Sequence, residues 1–422
     1  MFSNSRFFGR LLVFFLLIIS LPKYFLGKIF ASKNNNKNNK NNKNNKNNKN
    51  NKNISKILVL HNLLLGDAVL ILPLLAKLRQ NFQNSQIVLA LPSAFMELFA
   101  LSPYNLQIVE FNPKNVKTIA NLYKIAKNFD LGILPAENRY SLLLRGFGVK
   151  KIIAFEKDSP SWKNFLVDIK IAFPQQNTAF ADFILDLLPP ELESQHNNKN
   201  ALIFDKTQWQ IKNHSFLQRL PAKKYVVLHL GAGNKTRLWD INSWINLAEN
   251  LAAKNYEIVF TCGKSEKFLA NLVENQHKSF NTDFAGNTTL LELLILLQNS
   301  QLIISLDTGI AHLARLSGVA NIIIFGPGSA EIYGKNGNFW SSQITKIIAK
   351  SDAEIPCRDG NLLLERNHLQ WIKHCCISAE KCCQRHNLPC DLPNFISPCM
   401  QKISVAEVAK IAISLLENLE NS

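Results

Sequence analysis

LIISLDTGIAH, running from Leu302 to His312, joins an apolar run of strand length to a segment, Ile310 to Leu316, whose apolar residues recur at helical spacing. That is the pattern of a strand, a tight turn and a helix start. In an open α/β sheet, ligands gather at the carboxyl ends of the strands. The unpaired N–H groups of a helix's first turn favour anions such as phosphate. Thr308 is placed to cap this helix, and His312, four residues on, falls on the same face one turn later. The reading gathers Asp307, Thr308, Gly309 and His312 around one small volume. Taken alone, the same residues read equally well as helix caps and a core histidine.

The pattern recurs on both sides of this stretch. Upstream, Tyr225 to Leu230 runs into Gly231-Ala-Gly233-Asn-Lys235-Thr-Arg237, and Asp240 starts an amphipathic helix through Leu251. Glycines let the backbone approach a ligand closely, and Lys235 and Arg237 add positive charge, so the string reads as a diphosphate cradle or as an ordinary turn with surface lysine. Strand Glu257–Thr261 follows, with a helix from Ser265 to Gln276, which puts Glu266 at a strand's carboxyl end. There it suits ribose hydroxyls or, more simply, the helix dipole. Helix 290–298 and strand 321–325 complete a unit spanning 222–350.

A second unit, 54–205, alternates in the same way. Strands are expected at 57–60, 86–91, 106–111, 131–135 and 151–155, with helical segments at 67–82, 95–101, 116–129 and 140–146. Such alternation predicts a mainly parallel sheet with helices on both faces. The first loop, Asn62 to Asp67, is not a glycine-rich dinucleotide fingerprint. Asp67 reads as the N-cap of its helix, or as a carboxylate at the sheet edge able to act as a general base.

The chain is 422 residues long and 47% hydrophobic, which suits two domains of moderate size. Its net charge of +17 is unevenly spread: residues 1–53 hold eleven basic residues and no acid, leaving +6 for the rest. No aromatic residues interleave the lysines of the tract 33–53, so nucleic-acid binding is not expected. Residues 1–32 contain the apolar run Leu11 to Leu21 behind Arg6 and Arg10. They read as a retained membrane anchor, spanning or interfacial, and the Asn/Lys repeat of 33–53 as a linker. Lysines beside such a segment favour the cytoplasmic side of the inner membrane.

Taken together, LVLHNLLLGDAVLILPLL (58–75), LHLGAGNKTRLWDINSWINLAENL (228–251), the block from Phe284 to Val319 and IIIFGPGS (322–329) resemble glycosyltransferase family 9, the lipopolysaccharide heptosyltransferases. Cys399-Met400 resembles the family's C-terminal Cys-Met element. The resemblance implies two Rossmann-like domains facing across a cleft, the GT-B type. It implies an inverting, metal-independent transfer of heptose from an ADP-heptose to the lipopolysaccharide inner core. The partners would be a nucleotide-sugar donor, a lipid-linked saccharide acceptor and the inner membrane surface. Asp67 matches the family's general base. Gly231, Gly233, Lys235, Arg237, Glu266, Asp307, Thr308, Gly309 and His312 match its donor site, with Arg237 where many members carry lysine. A different sugar or acceptor, or a non-catalytic sugar-nucleotide-binding protein of the same fold, remain open alternatives.

Seven cysteines, Cys357, Cys375, Cys376, Cys382, Cys383, Cys390 and Cys399, crowd the segment 351–422, with His368, His374 and His386 among them. A structural role is expected, with a structural zinc as the alternative, although the Cys-Cys doublets give no clean CxxC pair. Residues 356–400 could form an acceptor-facing flap, and a final helix from Ser404 to Leu419 is expected to pack back on the folded body.

Overall fold

Short, fully apolar runs bounded by turn residues bury both faces and so form central parallel strands. In the computed structural model, which describes residues 54–193, 202–360, 363–364, 366, 369–375, 378–389, 391 and 395–421, they build two sheets. The expected anchor and linker, 1–53, lie outside the described residues, as do Cys376, Cys390 and His368. Among the described residues no helix is long and apolar enough to cross a membrane.

The first sheet contains β1 (Lys56–Leu60), β2 (Gln86–Leu91), β3 (Gln107–Glu110), β4 (Leu131–Leu134), β5 (Lys151–Phe155) and β6 (Ile169–Ile171), in the order β3-β2-β1-β4-β5-β6 and parallel throughout. The second contains β7 (Tyr225–His229), β8 (Glu257–Thr261), β9 (Leu302–Leu306), β10 (Asn321–Phe325) and β11 (Thr345–Ala349), in the order β11-β10-β9-β7-β8, also parallel. Strand order reverses beside β1 in the first sheet and between β7 and β9 in the second. Chains leaving such strands diverge to opposite faces and open a crevice at the carboxyl edge.

Three details depart from the sequence reading. The expected helix 67–82 is two helices, Leu65–Leu70 and Leu72–Asn81, because Pro73 has no N–H to continue the ladder from the first into the second. Strands β6 and β11 were not expected: both are sheet edges whose exposed lysines, Lys170 and Lys346, mask the apolar pattern.

Beyond β11 the chain returns across the molecule. The Arg358 guanidinium donates to Gly326 O at 2.9 and 2.6 Å and to Lys350 O at 2.6 Å, holding the segment to the second sheet. Arg366 then reaches the first sheet and donates to Glu156 O (2.8 Å), Ala136 O (3.1 Å) and Asn138 Oδ1 (3.1 Å), its guanidinium 5.4 Å from the Phe173 ring. A buried guanidinium is tolerated because these oxygens replace its water. Trp371 Nε1 donates to Pro174 O at 2.9 Å, a second tie between the halves. The last helix, Val405–Glu420, is capped by Ser404 and packs on helix Ile241–Ala252 of the second unit.

Candidate active site

Two strand-to-helix turns meet face to face between the sheets. The first follows β1. Leucines extend its helix back to Leu65, so Leu64 and not Asp67 occupies the N-cap, and Asp67 is the third helical residue. Leu64 has no side-chain acceptor, and the Asp67 carboxylate reaches back to accept from the Leu64 N–H at 3.3 Å. Half-buried in the cleft wall, this carboxyl is pushed up to about 6 by desolvation. The Leu64 and Asp67 N–H groups and the Arg237 charge pull the other way, while the Asp307 charge adds to the rise.

The second turn follows β9. Asp307 donates its N–H to Ile324 O at 3.0 Å, and Thr308 Oγ1 accepts from the Ile310 N–H at 3.2 Å, capping helix Gly309–Ser317 as the sequence indicated. Burial raises the Asp307 carboxyl, opposed by the charges of Arg237, Arg315 and His374. Arg237, on the short turn Lys235–Arg237 after β7, donates to Asp307 O at 2.9 Å, with its guanidinium 3.6 Å from the carboxylate.

His312 is buried, and its Nδ1 lies 3.1 Å from Arg315 Nη1. Arginine can only donate, so Nδ1 accepts and the ring hydrogen sits on Nε2. Burial first, then the charges of Arg315 and Arg237, holds the imidazole well below its ordinary pKa. His312 is therefore a neutral hydrogen-bond donor and not a base at neutral pH.

The two turns touch through their glycines. A Cβ on Gly309 would sit 3.1 Å from Gly66 N, and one on Gly66 would sit 2.9 Å from the His312 ring. The crossing leaves a cleft of about 300 Å³ whose walls include Asp67 from the first unit and Arg237, Asp307, Thr308, Gly309 and His312 from the second. Leu64, Tyr333, Leu364 and His374 also line it, and the sequence reading had not selected them. Arg315, which fixes the His312 ring from behind, was readable as the residue one turn on. His374 and Leu364 arrive on the segment 356–400, which was expected as an acceptor-facing flap without either residue being singled out for the cleft.

The remaining candidates lie apart from this cleft lining. Glu266 Oε1 accepts from the N–H groups of Ala232 (2.8 Å) and Gly233 (3.0 Å), and Oε2 from Gly263 N–H at 3.3 Å. A Cβ at Gly231 would displace this carboxylate from its present position. Glu266 and the loop of Gly231 and Gly233 thus hold each other, and neither is among the residues that line the cleft. Lys235 belongs to the same turn as Arg237 but is exposed outside the lining.

Comparison with known proteins agrees with this architecture. Residues 124–365, over half the chain, match the model for "Glycosyltransferase family 9 (heptosyltransferase)". The chain is 22% identical over 309 residues to lipopolysaccharide heptosyltransferase 3 of Escherichia coli, covering 70% of this chain and 89% of the relative. It is 24% identical over 299 residues to lipooligosaccharide heptosyltransferase 2 of Campylobacter jejuni, covering 69% and 87%. The solved structure of E. coli ADP-heptose LPS heptosyltransferase II superposes with a TM-score of 0.64 at 14% identity, covering 86% of this chain and 99% of that one. The iron-containing dodecameric glycosyltransferase TibC of enterotoxigenic E. coli gives 0.50 at 14%, covering 87% and 77%. These likenesses establish the shared α/β fold of two parallel sheets. The chain belongs to glycosyltransferase family 9, the lipopolysaccharide heptosyltransferase family, and is a glycosyltransferase.

Proposed function

We propose that the protein transfers heptose, with inversion, from an ADP-heptose to the inner core of lipopolysaccharide, at the cytoplasmic face of the inner membrane. The observation that carries this reading is that one cleft joins Asp67 of the first unit to Arg237 and the Thr308–His312 turn of the second. The relative described as an ADP-heptose LPS heptosyltransferase supports the choice of donor.

In this reading the Asp67 carboxylate takes the proton from the acceptor hydroxyl as its oxygen attacks the anomeric carbon. A carboxyl poised near 6 is ionised at neutral pH yet more basic than an exposed aspartate. The leaving ADP gathers negative charge on its diphosphate. Arg237 and the positive end of helix Gly309–Ser317 face that charge, and His312 Nε2–H adds a neutral donor. In this reading Asp307, whose backbone carbonyl accepts from Arg237, takes a sugar hydroxyl. On the same reading Glu266 and its glycine loop, outside the cleft lining, take the nucleotide, as the family resemblance implies. No step requires a cofactor beyond the donor.

Of the described cysteines, Cys375 borders both the cleft and a second, smaller space. Cys357, Cys375, Cys382 and Cys399 surround one small enclosed space, with His386 beside it, and the sulfur set suits a structural zinc or iron. Among the described residues no three ligand groups are already set for coordination, so loading would require the thiols to turn inward. Elemental analysis of the purified protein distinguishes a metal from free thiols.

The functional reading is tested by offering the full chain ADP- and UDP-sugars with lipid A-core acceptors, beside Asp67→Ala. Heptose transfer from the ADP-sugar, lost in the variant with donor binding retained, is the expected result. Binding without transfer to any acceptor would favour a sugar-nucleotide-binding protein, and absence of nucleotide-sugar binding would sink the reading.

A further inference from the structure

The loop between β5 and β6 carries two large aromatic side chains into solvent. Trp162 is 52% and Phe165 73% exposed, the two most exposed aromatic residues among those described. Residues 161–164 form a 3₁₀ turn that carries Trp162, and Phe165 is its C-cap, three residues on. This exposure is built into the fold. Beneath the aromatics, buried Lys163 pairs with buried Asp158 at 3.1 Å, and Asn164 Oδ1 accepts from Asn138 Nδ2 (2.7 Å) and from the Asp158 N–H (3.1 Å). The buried pair and the Asn164 hydrogen bonds thus fix a loop that displays Trp162 and Phe165 to solvent.

The surroundings say what the aromatics meet. The acids around the loop are paired: Asp158 with buried Lys163, Asp168 with buried Arg145, and, at the surface, Glu156 with Lys157 and Glu137 with Arg139. Lys170, after the aromatic pair in sequence, is exposed, and so is Lys157 before it, although Glu156 partly offsets its charge. The chain preceding β1 adds eleven basic residues and no acid. Aromatic rings among lysines, with no unpaired carboxylate, match the boundary between acyl chains and anionic headgroups. The loop also leaves the same carboxyl edge that delivers Asp67, two strands away in the order β1-β4-β5, or about 10 Å at the usual strand spacing. The returning segment joins the two places, since Leu364 lines the cleft while Arg366 donates to Glu156 O at the root of the loop.

We infer that Trp162 and Phe165 insert into the surface of an anionic membrane and set the cleft against the plane in which a lipid-linked acceptor lies. The inference rests on the acceptor class proposed above, but its test does not. Of the six tryptophans, Trp209, Trp239, Trp244 and Trp340 are buried and Trp371 is partly buried, and residues 1–53 contain none. Tryptophan emission from the full chain thus reports the loop even if the tail itself binds lipid.

The experiment mixes the full chain with phosphatidylglycerol/phosphatidylethanolamine vesicles carrying bromine on the acyl chains. The wild-type protein is expected to show a blue shift and quenching that disappear in Trp162→Phe and fall by about half in Phe165→Ser. Both variants keep the wild-type melting temperature and the wild-type rate on a soluble, deacylated core acceptor, while Phe165→Ser loses rate on acceptor embedded in vesicles. No lipid-dependent change in the wild-type emission, or the same change in Trp162→Phe, overturns the inference. Absence of transfer to every acceptor, with quenching intact, would count against the functional reading alone.

Discussion

The turn after β1 and the turn after β9 share one architecture, a buried parallel strand leading into a helix at a point where strand order reverses, yet they are built for opposite chemistry. In the first, the N-cap is an exposed leucine, and the acid at the third helical position does the capping with its own carboxylate. Burial raises that carboxyl, which the proposed mechanism uses as the proton acceptor. In the second, Thr308 supplies the cap, which leaves His312 free of capping duty, and Arg315 fixes its tautomer as a neutral donor. In the proposed mechanism, a general base and an electrophilic donor come from the same local fold. What differs is which side chain satisfies the helix end.

The sharpest way to break the pairing is at the glycine crossing. Gly309→Val drives branched carbon into the Gly66 backbone, where even a Cβ would already sit at 3.1 Å. It is expected to cost about 1–3 kcal/mol in urea unfolding and, by displacing Asp67 from the donor turn, about 100-fold in kcat/KM. Next in size, His312→Ala removes the neutral donor and is expected to lower kcat by about 10- to 100-fold, the scale of a hydrogen bond to a charged group. His312→Gln, which keeps an N–H, should recover part of that loss, measured at saturating donor.

Smaller, but more diagnostic, is the acid limb of the kcat/KM profile, expected near pH 6 from Asp67. Arg237→Gln removes a charge that lowers this pKa and moves the limb up; Asp307→Asn removes one that raises it and moves the limb down. Stability follows the same sign. The folded-state pKa lies above the unfolded value of 3.8, so the stabilisation from the protonated carboxyl is present at low pH and is lost as pH rises through about 6. Asp67→Asn is therefore expected to melt higher than wild type at pH 8 and close to it at pH 4. The smallest effect is at Glu266. Its carboxylate holds the N–H groups of Ala232 and Gly233, and Glu266→Gln, which keeps an acceptor, should change the donor KM by about threefold.

Much of this was legible in the sequence because the relevant strands are buried on both faces. β1, β7 and β9 read directly as apolar runs, and the residue after each run marks the carboxyl edge. Asp67, Arg237 and the Thr308–His312 turn could therefore be gathered from spacing and family resemblance. The edges β6 and β11 were not legible, since a three-residue strand with a central lysine and an amphipathic strand carry too little pattern. Nor was the real position of Asp67 within its helix, because three consecutive leucines suit a helix and a loop equally well. Glu266 was seen at the correct strand end, but a sequence cannot show that its partner is the protein's own glycine loop. Leu364 and His374 reach the cleft, and Arg366 the first sheet, on the segment read as an acceptor-facing flap, but no local signal marked which of its residues would make those contacts.

The most direct test of the central claim is single-turnover heptosyl transfer by Asp67→Asn, measured with ADP-heptose Kd on the same preparation. Loss of an aligned general base should slow transfer by about 10²- to 10⁴-fold and erase the limb near pH 6, while Kd stays within threefold or so of wild type. Transfer at near wild-type rate with an unchanged pH profile would contradict the assignment of Asp67 as the base across the cleft.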